Sequence, residues 1–176
     1  ELVIADEPTT ALDVSVQAQI IALIKRLCKD RGTSVMLITH DMGVIAETAD
    51  RVCVLYAGRL AEIGAVGDVV KRAQHPYTHG LMAAIPSLAG DPSEKLEQIP
   101  GSMPRLGAIP EGCAFNPRCP YRFDRCARER PGVYPVLGSQ ASCFLHAPAG
   151  ERPPAGIARS AIASGIEMRT EEGAEP

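Results

Sequence analysis

A strand–helix–strand pattern at the start of the chain most restricts the folds open to it. Leu2–Ala5 is a continuous apolar run, which is typical of a strand buried on both faces. Asp13 can cap a helix whose apolar residues recur at helical spacing as far as Lys29, and Gly32 can end that helix. A second apolar run, Val35–Ile38, follows. This order predicts two parallel strands covered by a helix.

Further elements continue the same pattern up to residue 74. Asp41 can cap a short helix, and a turn at Ala57-Gly58 can join two strands. The predicted elements are the helix Met42–Thr48, the strands Arg51–Tyr56 and Arg59–Ile63, and the helix Asp68–Gln74. We therefore predict an α/β domain over residues 1–74.

Composition changes beyond that domain. Residues 75–148 are rich in proline and glycine, which indicates a small loop-rich extension with little core of its own. Residues 149–176 are mostly Ala, Gly, Pro and Glu, and we expect a disordered tail there. Of the 176 residues 45% are hydrophobic but only 4% aromatic, so aliphatic side chains are expected to form the core. The net charge of −3 argues against a bulk nucleic-acid binder.

Two adjacent carboxylates follow the first strand, and a histidine follows the second. Asp6 and Glu7 come directly after Leu2–Ala5, and His40 lies just past Ile38. The carboxyl ends of parallel strands meet at one edge of a sheet, where such folds bind ligands. Adjacent like charges are costly unless a cation compensates them. Mg²⁺ carrying a nucleoside triphosphate would do so, with Asp6 supporting the metal and Glu7 orienting the attacking water.

These segments resemble motifs of the ATP-binding-cassette (ABC) ATPases. LVIADEP, residues 2–8, resembles the Walker B strand with its catalytic glutamate, TTALD, residues 9–13, resembles the D-loop, and LITHD, residues 37–41, resembles the segment with the switch histidine. The resemblance implies roles for four residues. Asp6 would support Mg²⁺, Glu7 would polarise the water, Asp13 would act across the interface with a second ATPase subunit, and His40 would contact the γ-phosphate of ATP.

Two other motifs of that family do not occur in these residues. There is no G-x-x-x-x-G-K-[ST] phosphate loop and no LSGGQ-type signature. Both precede Walker B in the family, and the chain begins with Glu1 rather than Met, already inside a predicted strand. We therefore expect an N-terminal part of the P-loop domain to be missing. Residues 1–176 alone should then bind ATP poorly and be inactive.

The extension has its own resemblance. HPYT, residues 75–78, and GCAFNPRCPYRFDRC, residues 112–126, resemble the C-terminal extension of oligopeptide and dipeptide transporter ATPases. This implies an ATP-hydrolysing subunit of a peptide importer, peripheral at the cytoplasmic face of the inner membrane. Its partners would be a second ATPase subunit, transmembrane permease subunits and, indirectly, an extracytoplasmic solute-binding protein.

Four cysteines lie close together in the extension. Cys113, Cys119, Cys126 and Cys143 are spaced C-x₅-C-x₆-C-x₁₆-C, whereas Cys28 and Cys53 lie in apolar segments where we expect inert core residues. Four thiolates suit tetrahedral zinc or an iron–sulfur cluster. The family resemblance implies a [4Fe–4S] cluster. Zinc, with His146 replacing one thiolate, and unligated thiols are the alternatives.

Arginines alternate with aromatic residues around the same cysteines. The arginines are Arg118, Arg122, Arg125, Arg128 and Arg130. Such a composition also fits a small metal module that binds nucleic acid. That alternative leaves residues 6–13 and 39–41 unexplained, so we expect no nucleic-acid partner.

Overall fold

The computed structural model describes residues 1–85 and 98–166. The chain divides into two compact units, the first comprising Glu1–Asp50 and the second beginning at Arg51. No helix in the described ranges is both long enough and apolar enough to cross a membrane.

The first unit is the predicted strand–helix–strand unit with a second helix. Its elements are β1 (Leu2–Asp6), α1 (Val14–Arg31), β2 (Ser34–Ile38) and α2 (Met42–Thr48). β1 and β2 are parallel, as predicted, in a register from Leu2↔Ser34 to Asp6↔Ile38. Asp13 caps α1, and Gly32 ends it in the left-handed conformation at φ 60°.

The faces of this two-stranded sheet carry exposed apolar side chains. Leu2, Ile4 and Met36 are each more than half exposed. The buried apolar residues of the unit are Ile21 and Val44. Parallel sheets are normally covered on both faces, so the exposed strands are unusual for this architecture.

The second unit contains a four-stranded antiparallel sheet with short helices around it. Its elements are β3 (Arg51–Tyr56), β4 (Arg59–Ala65), α3 (Val66–Lys71), α4 (Pro76–Ala83), α5 (Asp124–Arg128), β5 (Tyr134–Val136), β6 (Ser139–Ala141) and α6 (Ala155–Ala163). Single 3₁₀ turns occur at Leu106–Ala108, Asn116–Arg118, Phe144–His146 and Ala149–Glu151. The strand order is β3-β4-β6-β5. Ala57 and Gly58 form the predicted turn, both at positive φ.

The boundary between the two units differs from the predicted one. We predicted that the extension begins at residue 75, but the β3–β4 hairpin shares its sheet with the extension because β6 pairs with β4. The carboxylate of Glu62 on β4 is fully buried and accepts hydrogen bonds from the backbone N–H groups of Gln74 and His75 and from Ser139 Oγ. These bonds join the hairpin to the extension in one packed structure.

Aromatic side chains, although few, form part of the core of this unit. The rings of Tyr56 and Tyr77 are 4.7 Å apart, and those of Tyr56 and Phe115 are 5.2 Å apart in an edge-to-face arrangement. Aliphatic residues of β3 such as Val52 and Val54 are also buried. Cys53 lies between them and is exposed, so our prediction that it belongs to the core is wrong. The reason is that alternate residues of a strand face opposite sides of its sheet, so Cys53 faces away from the side on which Val52 and Val54 are buried.

The structure also differs from the disordered tail that we expected. Over residues 149–166 the chain forms a 3₁₀ turn and α6. Ala161 and Ile166 are fully buried with Leu145, and Tyr121 and Cys143 pack against them. A few well-spaced apolar residues therefore suffice to dock this segment. Residues 167–176 lie outside the described residues.

Candidate functional site

The polar residues that follow β1 and β2 meet at one edge of the sheet in the first unit. Asp6 is opposite Ile38 in the register, and the N–H of Glu7 donates to the carbonyl oxygen of Ile38 over 2.8 Å. His40 lies two residues after Ile38, the last residue of β2. The structure therefore brings Glu7 and His40 to the same edge, as the parallel arrangement predicts.

Both carboxylate oxygens of Glu7 have a partner. His40 Nδ1 lies 2.9 Å from Glu7 Oε1, and Thr10 Oγ1 donates to Glu7 Oε2 over 2.8 Å. The hydrogen bond with His40, and then the one from Thr10, lower the pKa of Glu7 because they favour its charged form. The side chains of His40 and Glu7 are 78% and 45% exposed. Glu7 is thus an ionised, accessible carboxylate held in a fixed orientation, which can orient a water molecule.

The backbone turns sharply at Glu7. Its φ is 44°, in the left-handed region that residues other than glycine seldom adopt. Ala11, in the turn leading to α1, also has a positive φ of 63°. Such conformations cost free energy and are concentrated at functional sites. The left-handed turn at Glu7 agrees with a site at the end of β1.

Asp6 occupies the last position of β1 and is exposed. Within the described residues its carboxylate makes no hydrogen bond or ion pair. A free carboxylate at a strand end is a hard oxygen donor of the kind that Mg²⁺ prefers. Asp6 therefore fits a magnesium ligand by its chemistry and its position.

Asp13 serves as the cap of α1. Its Oδ1 accepts hydrogen bonds from the N–H of Val16 over 2.9 Å and from Ser15 Oγ over 2.7 Å. These bonds, led by the one from Val16, lower the pKa of Asp13. In the part of the chain that the structure describes, Asp13 forms no hydrogen bond with Glu7 or His40. Its observed role is to fix where the turn ends and α1 begins.

Two polar contacts near this edge were not predicted. Thr10 completes the hydrogen bonds of Glu7, and its position three residues after Glu7 in a turn is a signal that sequence reasoning could have used. Gln17 Nε2 on α1 donates to Asp41 Oδ2 over 3.1 Å, and Asp41 in turn caps α2. The contact between Gln17 and Asp41 joins residues 24 positions apart, and no local pattern indicates it.

The four cysteines of the extension line one small cavity. Cys113, Cys119, Cys126 and Cys143 border it together with aromatic residues that include Tyr121, Phe123 and Phe144. The N–H of Cys113 donates to the carbonyl oxygen of Cys126 over 2.9 Å, which holds two of the cysteine segments against each other. Cysteines up to 30 residues apart in the chain therefore border one space, and that they bind a metal stays a prediction.

Burial favours the protonated form of the thiols in this cavity. Burial raises the pKa of all four cysteines, to about 12 for Cys119 and well above the usual range for Cys143. The other cysteines add to this effect at Cys119 and Cys143, because neighbouring thiolates would repel one another. A bound metal cation would reverse this preference, since metal ligation requires thiolates.

The cysteine cavity is not a preformed metal site. In the ranges 1–85 and 98–166, no group of three or more His, Cys, Asp or Glu side chains has an arrangement that could hold a metal ion. The volume of this cavity is about 20 Å³, roughly enough for one water molecule. Any metal would therefore require the cysteine side chains to move.

His146 does not join the cysteines around the cavity. Its Nε2 lies 2.9 Å from the carbonyl oxygen of Gln74, to which it donates, and the ring is fully buried. Burial lowers the pKa of His146, which favours the neutral ring. This arrangement argues against the zinc site in which His146 replaces a thiolate.

Several arginines that indicated a nucleic-acid interface are used within the second unit. Arg118 donates to the carbonyl oxygens of Ile99 and Pro100. Arg125 forms ion pairs with two glutamates, and its guanidinium lies 4.5 Å from the centre of the Phe144 ring. These cations stabilise the fold, and fewer remain to contact phosphates.

Comparisons with known proteins find one family and several curated relatives similar to this chain. Residues 61–126 match the family described as "Oligopeptide/dipeptide transporter, C-terminal region". The chain is 47% identical over 147 residues to the oligopeptide transport ATP-binding protein AppD of Bacillus subtilis, and the match covers 83% of the chain and 44% of that relative. It is 51% identical over 132 residues to the dipeptide transport ATP-binding protein DppD of the same organism, with 75% and 39% covered.

A third relative is similar over slightly more of the chain. The dipeptide transport ATP-binding protein DppD of Escherichia coli is 43% identical over 154 residues, which are 87% of the chain and 47% of that relative. The α/β fold and the extension fit the C-terminal part of an ATP-binding protein of the ABC class. The chain belongs to the oligopeptide/dipeptide transporter ATP-binding proteins, and it spans somewhat less than half the length of the curated relatives it matches.

Proposed function

We propose that residues 1–176 belong to the ATP-binding and ATP-hydrolysing subunit of a peptide ABC importer. The observation that carries this proposal is the contact between Glu7 and His40 at the end of β1. It pairs an ionised carboxylate with an imidazole at the edge where an α/β sheet binds its ligand. The similarity to peptide-transport ATP-binding proteins supports the same function.

Each of the residues at the strand ends would have its own role in ATP hydrolysis. Asp6 would hold Mg²⁺, which when bound neutralises charge on the phosphates of ATP. Glu7 would orient the attacking water and accept its proton, since both of its oxygens are hydrogen-bond acceptors. His40 holds Glu7 in place and would contact the γ-phosphate. Asp13 fixes the start of α1 and, with it, the D-loop that would face a second ATPase subunit.

We further propose that the whole protein has more of this domain than residues 1–176 contain. The exposed apolar faces of β1 and β2 support this, because a parallel sheet is stable when both faces are covered. The segment that covers them would carry the phosphate loop and the signature motif. Residues 1–176 alone would then bind ATP weakly and be inactive, because the backbone amides and lysine of that loop supply much of the phosphate binding.

The proposed partners follow from the family. The subunit would form a homo- or heterodimer with a second ATPase subunit, bind transmembrane permease subunits at the cytoplasmic face of the inner membrane, and receive solute indirectly from an extracytoplasmic binding protein. The names of the relatives favour dipeptides or oligopeptides as the solute.

The four-cysteine cavity is proposed to hold a [4Fe–4S] cluster, with zinc as the alternative. The chemistry of the donors fits, since four cysteines border a single space and their thiolates suit either metal centre, and the side chains would have to move to bind it. Cys113, Cys119, Cys126 and Cys143 would each supply one thiolate. The bound centre would mainly add folding free energy to a loop-rich region.

The function is tested with a Glu7→Gln variant of the full-length protein. We expect hydrolysis to fall by about a hundredfold or more while MgATP binding persists, because glutamine cannot accept the proton of the attacking water. Turnover and nucleotide affinity are measured side by side. Asp30→Asn, which removes an exposed carboxylate of α1 without a hydrogen-bond partner among the described residues, is the matched control. Unchanged turnover in Glu7→Gln would contradict the proposal.

A further inference from the structure

The second unit contains a larger cavity that neither the ATPase function nor the cysteine site explains. Its volume is about 300 Å³, at the lower end of the range for small-molecule sites. The residues that give it its chemical character are Tyr56, Arg59, His75, Phe115, Arg130 and Ser142. It also borders Cys113, so it lies beside the cysteine cavity.

One part of this cavity is apolar and lined by buried side chains. Tyr56 and Phe115 are 2% and 3% exposed, and their rings contact each other edge to face. Ala61 and Ala114, both buried, line it as well. Small side chains beside packed aromatic rings leave a space that suits the apolar body of a ligand.

Two guanidinium groups border the cavity, and each is held by the same short segment. Arg59 Nη1 donates to the carbonyl oxygens of Pro110 and Gly112 over 3.0 and 2.8 Å. Arg130 Nε donates to the carbonyl oxygen of Glu111 over 3.1 Å. The remaining N–H groups of both arginines have no partner among the described residues. The guanidinium groups of both arginines are therefore held in place, and each still has N–H groups that can donate to a ligand.

A histidine and a serine add neutral donors. His75 Nδ1 accepts a hydrogen bond from the N–H of Tyr77 over 3.0 Å, so the ring proton is on Nε2. The hydroxyl of Ser142 can donate as well. Among the described residues, no aspartate or glutamate lines the cavity. The cavity thus offers two cations and further donors but no carboxylate to receive a cationic ligand.

We propose that this cavity binds a small organic carboxylate with an apolar body. The arginines would bind the carboxylate, and the space beside Tyr56 and Phe115 would receive the apolar part. A free amino acid or peptide fits less well, because its ammonium group would find no acidic partner here. The proposal depends on neither the ATPase function nor a metal at the cysteines.

The test uses benzoate as the probe, with calorimetry on the full-length protein. We expect saturable binding of benzoate, with an affinity in the millimolar range or tighter. Arg130→Gln should weaken it roughly tenfold or more, because a charge-assisted hydrogen bond is lost. Arg128→Gln, at an exposed arginine that does not line the cavity, is the matched control and should bind as the parent does.

Two further probes and one further variant separate the possible outcomes. Benzamide, the neutral analogue, should bind at least tenfold more weakly than benzoate, and inorganic phosphate should not compete. Ser142→Leu should block benzoate without removing a charge. The proposal is overturned if benzoate does not bind, if benzamide binds equally well, if phosphate competes, or if both arginine variants behave alike. ATP hydrolysis is measured in parallel, so failure of this proposal is distinguishable from failure of the ATPase function.

Discussion

His40 Nδ1 lies 2.9 Å from Glu7 Oε1, although the two residues are 33 positions apart in the chain. The parallel register of β1 and β2 creates this contact, because it places the residues that follow both strands at the same edge. Thr10 binds the other oxygen of Glu7. The carboxylate is therefore oriented from two directions before any substrate arrives.

The first prediction concerns the ionisation of Glu7. Because hydrogen bonds from His40 and Thr10 lower its pKa from the ordinary value of 4.5, His40→Ala should raise it towards that value. The contact should be fully present above pH 4.5 and be lost as the pH falls through the lowered pKa. NMR titration of the Glu7 carboxyl carbon in the full-length protein measures this. His79→Ala is the control, and a parent Glu7 that titrates at or above 4.5 would contradict the prediction.

The second prediction concerns metal at the cysteine cavity. Anaerobically purified full-length protein should contain about four irons per chain if the site holds the cluster. Replacing Cys113, Cys119, Cys126 or Cys143 by serine should remove the metal and expose residues 98–146 to protease, because metal binding and folding are coupled. Cys28→Ser and Cys53→Ser should retain it. One zinc and no iron would assign the tetrahedral alternative, and no metal at all would overturn the site.

The third prediction concerns the buried carboxylate of Glu62. Glu62→Gln should lower the free energy of unfolding by about 1–3 kcal/mol, because the amide nitrogen would face backbone N–H donors. Burial raises the pKa of Glu62 overall, despite the hydrogen bonds it accepts. Stability should therefore decrease as the pH rises from 4.5 through the raised pKa. Denaturant titration of the full-length protein across this range is the measurement.

The control for Glu62 is Glu111→Gln in the same unit. The side chain of Glu111 is exposed and has no hydrogen-bond partner among the described residues. Its replacement should leave the unfolding free energy within about 0.5 kcal/mol of the parent. Equal effects of the two substitutions would show that the buried bonds of Glu62 contribute little.

The fourth prediction concerns the close approach of two backbone segments at Gly112. A Cβ atom at this position would lie 2.4 Å from the carbonyl oxygen of Cys126 and 2.7 Å from the carbonyl carbon of Ala127. Gly112→Ala should therefore separate the segments and destabilise the second unit by roughly 1–3 kcal/mol. Gly107→Ala is the matched control, because nothing lies within 4 Å of its Cβ position. Thermal unfolding of both variants decides the prediction, and equal melting temperatures would contradict it.

Local patterns predicted the first unit well. Periodicity and capping residues gave α2 its observed bounds and placed the cap of α1 at Asp13. The juxtaposition of Glu7 and His40 followed from the topology of a parallel pair. The contact between Gln17 and Asp41 could not be predicted, because it depends on how two helices pack.

Prediction was weaker in the second unit, where contacts are mostly non-local. The spacing of the cysteines indicated a shared site, but no local rule gives the pairing of β4 with β6 or the burial of Glu62. Residues 149–166 differ from the disorder that we expected for a related reason, since Ala161 and Ile166 pack against residues earlier in the sequence. Composition describes the average of such a segment and misses the few residues that dock it.

The pairing of β4 with β6 has a consequence for how the protein is made. Glu62 and its partner Ser139 are 77 positions apart, so a ribosome must synthesise β6 before β4 gains its second neighbour. Until then the nascent hairpin has an unpaired edge, and Glu62 lacks the hydrogen bond from Ser139. An unpaired strand edge can pair with another chain and lead to aggregation. Closing the long loop between β4 and β6 is also slow. Translation speed between these two strands should therefore influence the yield of correctly folded protein.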